Sequence, residues 1–191
     1  MASKSLLESL NPKGHLEIIK RYSDGKEETV LNDHNIITVG MGITLAYLFS
    51  SSATTSNVED YKIAYFQIGD GSSTMASSVT KLNDPITEAE YGETDLTISA
   101  IDIGGTGAAL NKDVAFINPA YISAATTKVT YTLTLEEEAC NTIAIKEIGL
   151  FSKDPSQDPN RSYAYLCAYR SFAAITKTDA FALIFKWTLE F

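Results

Sequence analysis

The sequence predicts a mainly β protein, an antiparallel β-sandwich of the jelly-roll or immunoglobulin-like kind with a single α-helix. Two observations support this fold class. Eight to ten short segments are rich in alternating apolar, β-branched or aromatic residues, and turn residues separate them. The strand-rich second half also lacks strand–helix–strand spacing, which disfavours a doubly wound parallel sheet.

The composition is typical of a globular protein with one sizeable core. The chain has 191 residues, of which 45% are hydrophobic and 20% are charged. We expect an N-terminal arm over residues 1–14 and one β-sandwich domain over residues 15–191. Within that domain we expect a hairpin at 16–31, a helix at 39–50 and the sheets at 62–191.

The first predicted element is a hairpin. LEIIKRY (16–22) and EETVLN (27–32) are both strand-like, and Asp24-Gly25 between them is a strong signal for a tight turn. No other local pairing in the chain is as clearly marked by its turn residues. We therefore expect these two segments to form adjacent antiparallel strands.

The next segment, residues 32–52, changes to helical spacing of its apolar residues. Thr38 precedes the first turn and is of the residue type that caps helix N-termini. Gly40 and Gly42 follow in the first turn, where they permit a close approach to a neighbouring backbone. A helix near residues 39–50 is the expected result.

The middle of the chain contains shorter elements. A strand at 63–68 leads into a Gly-Asp-Gly turn, for which we expect a positive φ at glycine and a cap on the backbone from Asp70. Residues 75–93 are predicted to be a short strand or an irregular crossing. DLTISAIDI (95–103) alternates, and VAFIN (114–118) is a short strand.

The C-terminal half carries the strongest strand patterns. We expect strands at 128–136, 142–152, 163–172 and 179–191, with KDPSQDPNRS (153–162) as a loop. The first of these strands has threonines on one face and apolar residues on the other. The last has the longest alternation, with one face formed by Phe181, Leu183, Phe185, Trp187, Leu189 and Phe191.

The charge and the termini limit the classes of partner. The formal net charge is −9, from 15 basic and 24 acidic residues, so the chain lacks the basic surface that nucleic acids and anionic membranes attract. No apolar run reaches the roughly 20 residues of a membrane-spanning helix. The N-terminus has no apolar signal core. We expect a soluble protein synthesised in the cytoplasm.

Known catalytic and metal-binding motifs are missing from the sequence. His15 and His34 lie beside turn-like sequence without zinc-ligand spacing, and we interpret them as exposed loop histidines. Cys140 and Cys167 form no CxxC motif and are expected to be reduced, semi-buried hydrophobic residues. We therefore predict no catalytic residues, no metal site and no cofactor.

One stretch, IKEIGLFSKD (145–154), leaves two interpretations open, because a carboxylate beside a glycine on an apolar strand suits either a catalytic site or a packing device. The alternation places Lys146 and Glu147 on opposite faces, so the charges do not converge on a pocket. We expect Glu147 to satisfy a nearby backbone or basic group. Gly149 suits a bulge or a close backbone approach.

Two series of motifs resemble structural proteins of tailed bacteriophages. The first is NDHNIIT, GMGITLAYLF and IAYFQIGDGSS, and the second is IKEIGLFS followed by YAYLCAYRSF and an aromatic-rich strand. Their order is similar to that in attachment modules of tail fibres, baseplates and neck or collar parts. The resemblance covers about residues 30–191, and it implies a virion protein of the tail, baseplate or neck.

The resemblance implies a function without an active site. We expect the chain to self-associate, most simply into a ring, and to dock other phage tail, neck or fibre proteins. The absence of a shaft repeat favours a connector or ring subunit over a complete fibre. The candidate interface residues are those of the arm and of the loop at 153–162 with its flanking tyrosines, namely Leu6, Leu7, Leu10, Arg161, Tyr163 and Tyr165.

Two alternatives remain open at this stage. A carbohydrate-binding, receptor-recognition module of the same virion would stack sugars on exposed aromatic rings. The single tryptophan, Trp187, fits a core position better than a sugar platform, because its strand pattern groups it with Phe185 and Leu189. A hydrolase acting on cell-wall polysaccharide is the third interpretation, and Glu147 would be its first candidate residue.

Overall fold

The computed structural model describes residues 12–50, 62–86, 101–103, 121–125, 127–158 and 161–191, and the architecture over these residues is mainly β with one helix. The elements are β1 (Lys13–Tyr22), β2 (Glu27–Ile37), α1 (Val39–Ser50), β3 (Ile63–Gly69), β4 (Ile101–Ile103), β5 (Tyr121–Ala124), β6 (Lys128–Leu135), β7 (Ala144–Asp158), β8 (Arg161–Thr176) and β9 (Phe181–Glu190).

Eight of these strands form one antiparallel sheet that curls into a half-barrel. Their order is β3-β7-β8-β2-β1-β9-β6-β5, and β4 pairs in parallel with β8. Only Ile36 and Ile37 of β2 pair with β8, at Tyr169 and Ala168. This short pairing joins one part of the sheet, formed by β3, β7 and β8, to the other part, formed by β2, β1, β9, β6 and β5. The predicted mainly β, antiparallel character is confirmed.

The hairpin of β1 and β2 is confirmed, and both strands are longer than predicted. Gly25 occupies the turn with φ of 83°, a left-handed conformation that glycine adopts without a steric penalty. The register shifts between Ile18 and Ile19, where β2 accommodates one extra residue. β1 begins at Lys13, so its first two residues come from the segment expected to be the arm.

The core lies inside the curled sheet. The alternation predicted for β9 is confirmed, because Leu183, Phe185 and Trp187 are all fully buried. The ring of Phe66 on β3 packs on the ring of Trp187 with 6.3 Å between centroids, so strands from distant positions in the sheet order meet across the core. Phe191 was expected on the same face, but it follows the end of β9 and is exposed.

The helix α1 confirms the prediction at 39–50 and is seated on β8. Met41 and Leu45 are buried in the core, whereas Ile43 is exposed. A Cβ atom at Gly40 would overlap the backbone carbonyl of Leu166, which confirms the expected close approach. Thr38 lies at the start of the helix as predicted, but its hydroxyl donates to the Leu166 carbonyl oxygen.

Two sequence predictions of local structure were wrong. The segment 153–162 was predicted to be a loop, but β7 continues to Asp158 and β8 begins at Arg161, where these two residues pair. Strand β5 was not predicted, because four residues are too few to show a clear alternation. The strand predicted at 114–118 and residues 95–100 lie outside the described residues.

Candidate functional site

Glu147 is the most deeply buried carboxylate among the described residues, and its bonds are structural. It has no exposed surface. One carboxylate oxygen accepts from the backbone N–H of Asp84, and the other accepts from the hydroxyl of Tyr169, both at 2.8 Å. The Tyr169 hydroxyl in turn accepts from the backbone N–H of Ser73 at 2.8 Å. The expectation that Glu147 satisfies a nearby backbone group is confirmed.

This network holds the irregular segment 70–86 against β7 and β8. The backbone N–H of Asp70 donates to the Asp84 carbonyl oxygen, and Ile86 donates from its N–H to the Ile68 carbonyl oxygen. The segment therefore continues the hydrogen bonding of β3 without forming a regular strand. It also covers Glu147, so a substrate has no access to the carboxylate in this conformation.

The Gly-Asp-Gly turn works differently from the prediction. Among the described glycines only Gly25 has a positive φ, so neither Gly69 nor Gly71 supplies the left-handed turn that was expected. Both are needed for space instead, because a Cβ atom at Gly71 would lie 2.7 Å from the backbone nitrogen of Asp84. A Cβ at Gly69 would meet Glu147 Oε1 at 2.8 Å.

Gly149 on the same strand was expected to mark a bulge or a close backbone approach, but the atoms that approach it belong to side chains. A Cβ atom at Gly149 would lie 2.6 Å from the Cδ1 atoms of both Leu82 and Leu166. These two leucines, together with Phe151 and Tyr169, form a second apolar cluster. The stretch from Glu147 to Gly149 therefore serves packing, because the segment around Leu82 packs against it.

A buried lysine, Lys177, follows the end of β8 and lies beside the residues that precede β7. Lys177 has no exposed surface, and its ammonium donates to the carbonyl oxygens of Glu137 and Thr178 at 3.0 and 2.8 Å. Burial lowers the pKa of Lys177 from 10.5, while the nearby acidic groups act in the opposite direction. Because the ammonium also donates to the Asn141 side-chain oxygen at 3.4 Å, two of its bonds hold the turn at 137–142.

Neither cysteine forms a disulfide bond, and both are fully buried, more deeply than the semi-buried positions expected. Cys167 lies beneath α1, where its thiol is 3.5 Å from the hydroxyl of Thr44 and donates to the Tyr165 carbonyl oxygen. Burial raises the pKa of Cys167 to about 11, so the thiolate is strongly disfavoured. This environment is the opposite of the one that activates a cysteine nucleophile.

The outer face of β2, β1, β9, β6 and β5 is polar. Pairs of side chains bridge neighbouring strands there, with Lys186 Nζ 3.8 Å from a Glu17 oxygen and the hydroxyls of Thr130 and Thr188 2.9 Å apart. These pairs are partly exposed and contribute little to stability one by one. The same face carries both histidines of the chain.

His15 and His34 were interpreted as loop residues, and that interpretation was wrong. His15 lies in β1 and His34 in β2, directly opposite each other in the antiparallel register. The register near the turn, where Ile19 pairs with Thr29, would not place the histidines opposite each other, and the shift between Ile18 and Ile19 brings them into register. The pairing was missed because the strands were predicted to be too short to include either residue.

Among the described strands, β5 is one of the two ends of the sheet, and the apolar core extends to it. A row of apolar residues crosses the core-facing side of four neighbouring strands, β1, β9, β6 and β5. From strand to strand its members pair in the order Leu16, Trp187, Tyr131 and Ile122. The first three are buried, but Ile122 is 48% exposed. Its neighbour Tyr121, on the polar face, is 65% exposed. An apolar row thus ends unprotected at a strand with no described neighbour on its outer side.

Half of the residues predicted for an interface fall within the described ranges. Leu6, Leu7 and Leu10 lie outside the described residues, and Arg161 and Tyr163 are placed only as backbone positions of β8. Tyr165 is buried, which removes the exposure on which its selection depended, because β8 is covered here by β7 and α1. The exposed pair on β5 was not among the predicted residues.

Comparison of the chain with protein-family models, curated proteins and solved structures finds no match. The residues that the structure describes include no helix long and apolar enough to cross a membrane. The same described ranges contain no cluster of three or more histidine, cysteine, aspartate or glutamate side chains arranged to hold a metal ion.

Proposed function

We propose that this chain is a structural component of a bacteriophage virion, located in the tail, baseplate or neck, which self-associates and docks neighbouring tail or fibre proteins. The observation that carries the proposal is the β5 edge, where the apolar row from the core ends at exposed Ile122. Exposed strand edges with apolar side chains pair readily with another strand. The occupant we propose is a second copy of the chain.

The chemistry of the edge suits such pairing. The N–H and C=O groups on the outer side of β5 supply main-chain hydrogen bonds, and Ile122 supplies apolar area beside them. Tyr121 adds a large exposed ring of the type enriched at interfaces. Because an antiparallel pair of identical strands is self-complementary, two copies form one continuous sheet through this edge.

The resemblance to phage attachment modules supports the same function. The IKEIGLF motif has a structural role in the fold, because both of its key residues contact the segment 70–86. Glu147 accepts a hydrogen bond from the Asp84 N–H, and Gly149 leaves space for the Leu82 side chain. The GMG motif likewise seats α1 on β8 at Gly40. These motifs specify how a scaffold is packed, as is expected for a protein that acts through its surfaces and has no enzymatic activity.

We also propose that the curled sheet is a β-sandwich in which its two parts are the facing layers. The contact between Phe66 and Trp187 supports this, because it joins strands from separate regions of the sheet order. The same contact weakens the carbohydrate-binding alternative. Trp187 is fully buried and offers no face for sugar stacking.

Sedimentation equilibrium of the wild type and of Ile122→Lys tests the proposed contact. We expect the wild type to associate and the variant to associate at least about tenfold more weakly, because the new ammonium would lose its water in the contact. Ile43→Lys is the matched control, since Ile43 is also a partly exposed isoleucine but lies on α1. A wild type that stays monomeric at high concentration, or equal effects of the two substitutions, would contradict the proposal.

A further inference from the structure

The two histidines of the chain form a pair on the polar face of the sheet. His15 and His34 are opposite each other on β1 and β2, and their ring centroids are 5.6 Å apart with an angle of 80° between the ring planes. The chain contains no other histidine. His34 is exposed and His15 is half-buried, so the pair is accessible from solvent.

The hydrogen bond to His15 determines which of its nitrogens is free. His15 Nε2 is bonded to the side-chain oxygen of Asn32, which can only accept. Nε2 therefore carries the hydrogen of the neutral ring, and Nδ1 keeps its lone pair. Histidines that bind metals are oriented in the same way, with one nitrogen donating to an oxygen and the other free to coordinate.

We propose that His15 and His34 together bind a divalent transition-metal ion of the Ni²⁺, Cu²⁺ or Zn²⁺ class. Metal–nitrogen bonds of about 2.0–2.1 Å to both rings place the ring centroids roughly 5–6 Å apart, a separation already present here. Imidazole is a preferred ligand of these ions. Water completes the coordination, because the described residues hold no third histidine, cysteine or carboxylate ligand in a metal-binding cluster.

The surroundings leave room for a hydrated ion. The pair borders a surface depression of about 250 Å³ that is also lined by Lys13, Lys128 and Glu190. The two ammonium groups oppose cation binding, but Lys128 is neutralised by a salt bridge to Glu190 at 3.1 Å. Lys13 remains as the opposing charge, so substituting it with a neutral residue strengthens binding.

The ion would connect β1 to β2, close to the point where β2 pairs with β8. β2 is the strand that joins the two parts of the sheet, and next to His34 the side chain of Asp33 bonds Arg170 of β8 at 2.7 Å. The folded hairpin holds the two rings together, whereas the unfolded chain separates them. Binding therefore stabilises the fold, and the stabilisation grows with the logarithm of the ion concentration once the site is saturated.

The experiment uses the full chain without an affinity tag. Isothermal titration calorimetry with NiCl₂ measures binding, and thermal unfolding with NiCl₂ or MgCl₂ measures stabilisation. We expect one Ni²⁺ per chain and a rise in Tm with Ni²⁺ but not with Mg²⁺, which prefers oxygen ligands. His15→Gln and His34→Gln each weaken binding by at least about tenfold, because each removes one of two ligands.

Three controls keep the result interpretable. Circular dichroism of both histidine variants verifies that the substitutions leave the fold intact, and Lys13→Gln should bind Ni²⁺ more tightly than the wild type. Light scattering with Ni²⁺ should show no metal-dependent change in mass. Binding that persists in either histidine variant, binding that occurs only between two chains, or no binding up to about 1 mM Ni²⁺ overturns the proposal.

Discussion

Glu147 shows how a single buried carboxylate organises a loop more than sixty residues away in the chain, through the backbone of Asp84 and the hydroxyl of Tyr169. Replacing it with alanine removes the acceptor of both short hydrogen bonds and opens a cavity. We expect Glu147→Ala to lower the free energy of unfolding by about 2–4 kcal/mol.

Urea unfolding of two further variants separates the contribution of the Tyr169–Glu147 hydrogen bond to stability from that of the packing around Glu147. Tyr169→Phe removes one donor and should cost about 1–2 kcal/mol. Glu17→Gln, which alters a partly exposed pair, should change stability by less than about 0.5 kcal/mol. A Glu147→Ala variant as stable as Glu17→Gln would show that the network does not hold the segment 70–86.

The buried thiol of Cys167 predicts how stability depends on pH. A thiol ordinarily ionises near 9.0, whereas burial raises the pKa of Cys167 to about 11. Between these values the folded state keeps a proton that the unfolded state has lost, so stability is complete below pH 9 and falls as the pH rises. The contribution of this one group is at most about 1.4 kcal/mol per pH unit.

Cys167→Ala isolates that contribution, because the tyrosines that ionise in the same range are unchanged. Chemical unfolding of the wild type and of the variant at several values between pH 8 and 11 should give different slopes. We expect the wild type to lose stability faster than Cys167→Ala above pH 9. Parallel curves would mean that solvent reaches the thiol in the folded state.

At the scale of the elements, three glycines predict a ranking of stability losses on substitution by alanine. Gly40→Ala places a Cβ against a backbone carbonyl and should cost at least about 3 kcal/mol. Gly149→Ala meets only the ends of two leucine side chains, which can move, and should cost about 1–3 kcal/mol. In Gly25→Ala the new Cβ meets no atoms, but the residue must keep a positive φ, and we expect a loss of about 1 kcal/mol.

Urea unfolding of the three variants checks this order. The value for Gly40→Ala is the informative one, because it reports whether α1 is seated on β8 as closely as the structure places it. A Gly40→Ala loss no larger than that of Gly25→Ala would contradict the packing of the helix.

Strong local patterns explain which elements the sequence predicts. The β1–β2 hairpin, β6 and β9 carry clear turn or alternation signals, and each was predicted correctly. The extended hairpin of β7 and β8 was missed, because prolines at 155 and 159 are typical of a loop. The partners of Glu147 and the exposure of Ile122 were not predictable, since both depend on segments far apart in the chain.

At the scale of the whole molecule, the described residues form a scaffold with two accessible surfaces. One is the β5 edge at Tyr121 and Ile122, and the other is the polar face that carries His15 and His34. The carboxylate and the thiol that most resembled catalytic groups are both buried and hydrogen-bonded.

The central claim concerns where the chain resides, and electron microscopy of purified virions labelled with a gold-conjugated antibody against the chain tests it most directly. Under the proposed function a phage genome encodes the chain; virions of that phage are the sample, and virions treated with pre-absorbed antibody are the control. We predict gold particles confined to the tail, baseplate or neck. Unlabelled virions, with the chain detected only among the soluble proteins of infected cells, would contradict the proposed function.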